Sequence, residues 1–179
     1  VQSLQTIVSR KLNPSLNGVV SVTEFITDGK RNVLPGSAIL KGDARALSTE
    51  VNETIEARIR QIVAGISSAH GVKTEVQYDT LFPSVINTST PVIAAHRAAS
   101  TIVGPKEVDN ECEPKLFSED FAHMAATKPG CFVLMGNGIQ GVNAKPLHSS
   151  DYDFNDEALS YGSSFWVQLV EQELSRSIE

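Results

Sequence analysis

Several familiar chemistries are missing from this chain. Its two cysteines, Cys112 and Cys131, form no C-x-x-C pair, so zinc-finger and thioredoxin-like sites lack their ligand spacing. No H-E-x-x-H, G-x-S-x-G or P-loop occurs, which disfavours a helix-borne zinc site, a serine nucleophile and a bound nucleotide. There is no long run of Lys or Arg, and the net charge of -6 argues against nucleic acid as a partner. Apolar runs such as Cys131–Met135 are far too short to span a bilayer, so no membrane partner is expected. The opening VQSLQTIVSRKL lacks the layout of a secretory signal. Two cysteines without a pairing motif fit free, buried thiols in a reducing cytoplasm, with a disulfide between them left open.

What is present is the composition of a folded protein: 41% hydrophobic and 20% charged residues. A length of 179 residues suits one medium domain or two small ones. Val1, Leu4, Ile7 and Val8 share a helical face from the first residue, so a piece of a longer protein is expected. Asn13-Pro14 stops that helix. GVVSVTEFIT and AILKGDAR read as an antiparallel pair of strands, with Asp28-Gly29 as a hairpin signal. Ser48 caps a helix whose stripe is Val51, Ile55, Ile59, Ile62, Val63 and Ile66, ending near His70 with Gly71 in the left-handed position. VKTEVQY alternates as a half-buried strand. Helix, strand, strand, helix and strand are five of the six elements of a ferredoxin-like β-α-β-β-α-β unit.

The polar, proline-bearing stretch LFPSVINTSTP marks a domain boundary. Beyond it, Pro91 and Gly104 bracket a helix, and Ser118 caps a shorter one. CFVLMG reads as a central strand, and residues 136–153 as a long polar loop. A last helix starts near Asn155, with Leu159, Gly162, Phe165/Trp166, Leu169/Val170 and Leu174 on its buried face. The second half is therefore α/β.

The loop carries His148, open to three readings: metal ligand, catalytic base or solvated loop residue. Asp151 and Asp153 would orient its ring or serve as turn residues. His70, His96 and His123 read as surface or packing residues. Glu119-Asp120 is either a carboxylate pair or a favourable helix start. Arg45 is suited to fork a carboxylate, or to pair with Asp43 on the surface.

Four segments taken together are more specific: LQTIVSRKLNP, VVSVTEFITDGKRNVLPGSAILKGDAR, SEDFAHMAATKPGCFVLMGNG and LHSSDYDFNDEALSYGSSFWVQL. In this order they resemble the metal-dependent amidohydrolases and metallopeptidases of the aminoacylase and carboxypeptidase clan, and most of all hippurate hydrolase and indole-acetyl-amino-acid hydrolase. The resemblance implies an α/β catalytic domain with two divalent metals, zinc or manganese, and an inserted ferredoxin-like lid through which such enzymes dimerise. Residues 1–83 would be the lid without its first strand (α+β), and residues 84–179 the C-terminal part of the α/β catalytic domain. His148 matches the last metal ligand. Asn32 and Arg45 match lid positions that bind the substrate carboxylate, in some members across a homodimer, and Glu119 falls near the site. The family's other ligands and its general-base glutamate match no position here, so the chain alone is expected to be inactive. The implied substrate is a small N-acyl amino acid, cleaved at its amide bond. The alternative is a non-enzymatic dimerisation or binding module.

Overall fold

The computed structural model describes residues 1–174. They divide into two compact units. The first is Val1–Ser84 with Pro114–Asp120; the second is Val85–Glu113 with the chain from Phe121 onward.

The first unit is built on one hairpin and one helix. Strand β1, Gly18–Thr27, pairs antiparallel with β2, Ala38–Ala46, and Val19 lies opposite Arg45. A bulge between Val22 and Glu24 interrupts the register. Gly42 lies at that bulge, where a Cβ would drive into the Ser21 carbonyl oxygen. The hairpin expected from the sequence forms, joined by the ten-residue, turn-rich connection 28–37. Asp28 closes it, its Oδ1 accepting from the N–H groups of Gly36 (2.9 Å) and Ser37 (3.2 Å). Helix α1, Thr49–His70, has the expected ends. Ser48 Oγ accepts from Val51 N, and Gly71 sits at φ 64.

The core is Ile7, Leu12, Val20, Val51 and Ile55, with Ile59 and Ile62 packed at its edge. Ile7 comes from a wide π-type turn, Ile7–Lys11, that follows a 3-10 turn at Gln2–Leu4. These replace the regular helix expected there, and Val1 and Val8 stay exposed.

The expected strand over 72–78 is absent: among the described residues the sheet has two strands. The segment runs beside α1 and is tethered by side chains. Arg60 Nη1 donates to the Val76 carbonyl at 2.9 Å, and the Tyr78 hydroxyl donates to Asn52 Oδ1 at 2.7 Å. Val76 and Tyr78 are half-buried, while Val72 is open.

In the second unit α2, Ser89–Val103, packs on α4, Ala158–Leu174. Buried Ala94, Ala95 and Ala98 give α2 a smooth face that allows close approach. A short helix α3, Phe121–Ala125, starts three residues after Ser118, the position expected to cap it. Phe121 stacks at a tilt on Phe132, 5.6 Å between centroids. Gly130 leaves room for that ring, since a Cβ there would lie 2.9 Å from Phe121 Cζ.

The expected strand at Cys131–Gly136 is also irregular, because no neighbouring strand among the described residues offers a ladder. A single side chain takes that role. Asn87 Oδ1 accepts from Phe132 N (2.8 Å), and Asn87 Nδ2 donates to Phe132 O (3.0 Å). The buried face of α4 also differs from expectation. Ala158 is buried, and Gly162, Phe165 and Leu169 are half-buried, whereas Leu159, Trp166, Val170 and Leu174 are open. Helical spacing reports a stripe, but the partner decides how wide a stripe is covered.

Candidate functional site

His148 lies in the loop between the Cys131–Gly136 segment and α4, and its side chain is exposed. It is the one non-glycine with positive φ (69°) among the described residues. Residues with a Cβ reach that region at a cost, and such residues cluster where function requires a geometry. Ser149 N and Oγ both bond the Pro146 carbonyl, at 3.2 and 2.7 Å, which closes the turn around His148. Asp151 is taken up by Lys145 at 2.7 Å, so its carboxylate is a loop closure. Asp153 contributes its backbone carbonyl, which accepts from Asn137 Nδ2 at 2.8 Å.

Arg45 stands on β2 in the first unit. Its Nε donates to Asp43 Oδ2 at 2.6 Å, and its Nη1 to the Leu116 carbonyl at 2.6 Å. The surface ion pair anticipated from the sequence is thus formed, and the bond to Leu116 holds the guanidinium against the Pro114–Asp120 segment. Half-exposed Glu119 lies on that segment, three residues beyond Leu116. Asn32 sits in the 28–37 connection at the far end of the hairpin. From Ala38 to Arg45 along β2 is about 23 Å at about 3.3 Å per residue. The fold brings Arg45 to the Glu119 segment and keeps Asn32 away from both.

Among the described residues no group of three or more His, Cys, Asp and Glu is placed to hold a metal ion. His148 alone does not fit a catalytic metal, which needs about three protein ligands. The cysteines are free. Cys112 is exposed, contrary to expectation, because the acidic stretch around it forms a surface turn in which Asp109 Oδ1 accepts from Glu111 N. Half-buried Cys131 has its thiol pushed up by burial, the opposite of an activated nucleophile.

Two side chains escaped the sequence reading. Asn137 makes three hydrogen bonds across the His148 loop; its only local signal is the flanking Gly-Asn-Gly. Asn52 links α1 to Tyr78 and Thr80, a contact that no local pattern announces.

A mixed helix-and-sheet chain with its candidate histidine on a loop is consistent with the motif resemblance, although Val133, Leu134 and Met135 before that loop are open rather than buried in a central strand. The chain belongs to peptidase family M20/M25/M40, which it matches over residues 8–172. It is 30% identical over 170 residues to hippurate hydrolase of Campylobacter jejuni, covering 95% of this chain and 43% of that protein. It is 30% identical to an IAA-amino acid hydrolase of Arabidopsis thaliana, covering 95% of this chain and 40% of that protein. A solved Bacillus subtilis structure, described as a dinuclear metal binding peptidase of the M20 family, superposes with a TM-score of 0.73 at 30% identity, covering 92% of this chain and 43% of the other. The chain thus spans well under half the length of these relatives.

Proposed function

We propose that this chain is part of a metal-dependent hydrolase that cleaves the amide bond of N-acyl amino acids. The observation that carries the reading is His148 itself, a histidine held at positive φ on a closed loop. The names of two relatives support the substrate class, since hippurate and the IAA-amino acids are both acyl groups joined to an amino acid. Residues 1–83 would form the ferredoxin-like lid and 84–179 the end of the catalytic domain. His148 would supply one ligand of a divalent-metal site, zinc or manganese, completed by residues outside this chain. The test is hydrolysis of hippurate and N-acetyl amino acids by the full-length protein. Activity is expected to disappear with a chelator and to fall at least about a hundredfold in His148→Ala. Full activity in that variant would sink the ligand role.

The substrate carboxylate would be gripped by Arg45 and Asn32. Their separation along one hairpin supports a grip shared between two copies, with Arg45 from one and Asn32 from the other. The exposed register pairs Phe25–Leu40 and Ile26–Ile39 fit a hairpin that meets a partner. Mixing inactive Asn32→Ala and Arg45→Ala proteins, with exchange of subunits, is expected to restore activity, since each mixed dimer regains one intact site. No recovery would place both residues in the same copy's site.

A further inference from the structure

We infer that Asn137 is a positioning residue that fixes the loop bearing His148. The inference deepens the proposed function and rests on His148 being a metal ligand. It comes from a set of closures nested one inside another. Outermost, Asn137 Nδ2 donates to the Asn143 carbonyl (3.1 Å) on the incoming limb and to the Asp153 carbonyl (2.8 Å) on the outgoing limb. Its Oδ1 accepts from Asn155 N at 2.8 Å. Both donors and an acceptor of one half-buried amide are therefore in use. Inside this lies the Lys145–Asp151 pair at 2.7 Å, and innermost the turn in which Ser149 bonds Pro146 O. His148 sits at the apex, φ 69.

These closures are not equivalent. Left-handed backbone at a residue with a Cβ persists only where the surroundings over-determine it. The Lys145–Asp151 pair is half-exposed on both sides, and solvent screening leaves such pairs weak. The Pro146–Ser149 turn is local, closing over three residues without reaching either limb's base. Asn137 ties both limbs to the chain leaving the Cys131–Gly136 segment, so it sets where the apex stands. The backbone around it is shaped for this contact. Gly138 lies at φ 140, and a Cβ there would come 2.9 Å from Asn143 Cβ, so glycine lets the Asn143 limb close on Asn137. Residues that hold a metal ligand in place typically change affinity about 10–100-fold when removed.

The test uses the full-length protein with Zn2+ as the probe, comparing His148→Ala, Asn137→Ala and Asn137→Asp. Zn2+ affinity is read by chelator competition, loop order by protease cleavage within 143–153 in the metal-free protein, and global stability by the thermal midpoint. Both Asn137 variants are expected to bind Zn2+ about tenfold or more weakly and to be cut faster in the loop, with the midpoint nearly unchanged. Asn137→Asp keeps the Asn155 contact and loses both donations, so it serves if Asn137→Ala fails to fold. If His148→Ala weakens Zn2+ binding while the Asn137 variants alter neither affinity nor cleavage, the positioning role is overturned and the ligand role stands. If His148→Ala leaves Zn2+ binding intact, the ligand role fails. Loop cleavage then decides separately for Asn137, faster cutting supporting its hold on the loop and unchanged cutting overturning it.

Discussion

At the scale of single residues, Tyr78 is a group whose surroundings change its chemistry. Burial, then the nearby carboxylates of Glu56 and Asp43, raises its pKa above the ordinary tyrosine value. Its hydroxyl donates to Asn52 Oδ1, a bond that ionisation removes. A raised folded-state pKa means the folded protein holds the proton more tightly than the unfolded chain. The stabilisation is therefore complete below the unfolded value of about 10 and is lost as pH rises through the folded value. Stability is expected to fall in that alkaline window, and Tyr78→Phe is expected to flatten the fall. Denaturant midpoints at pH 8 and pH 10.5 for both proteins check this; equal losses would remove Tyr78 as the cause. His148 and Arg45 were legible at this scale from residue type and motif. Asn137 and Asn52 were not, because their partners lie 6–28 residues away and the amide side chain carries no periodic mark.

At the scale of elements, α1 and the hairpin were legible almost to the residue, for a physical reason. Their signals are local: a serine cap, a left-handed glycine, a 3.6-residue stripe and β-branched runs. Residues 72–78 alternate and residues 131–136 form a short apolar run, and among the described residues neither forms a ladder. Alternation marks two faces of a chain, but pairing needs a second edge. The first unit's core hangs on α1, where Ile55 is fully buried. Ile55→Ala is expected to destabilise by about 2–5 kcal/mol, measured by denaturant titration with the slope unchanged. A loss under about 1 kcal/mol would mean that the core collapses around the gap.

At the scale of the whole molecule, His148 is the one candidate ligand, and no group of three or more His, Cys, Asp and Glu among the described residues is placed to hold a metal ion. The chain also leaves large apolar side chains open, including Leu34 at 92%, Ile139 at 91% and Trp166 at 60% exposure. The 179-residue chain alone is therefore expected to show no chelator-sensitive hydrolysis of N-acyl amino acids. Turnover by this chain that a chelator abolishes would contradict the proposed division of the site. Among the described residues no helix is long and apolar enough to cross a membrane, which fits the absence of long apolar runs in the sequence.

The Arg45–Asp43 contact, finally, bears on how a ligand would be received. On its proposed role, the guanidinium meets an incoming carboxylate while a neighbouring carboxylate already engages it at 2.6 Å. Capture is then an exchange of one anion for another rather than the neutralisation of a lone cation. The count of ion pairs stays level, so little screening energy is at stake, and affinity should vary only weakly with ionic strength. Selectivity would follow from the shape of the anion and the directions of the remaining N–H donors, with charge attraction as the lesser part.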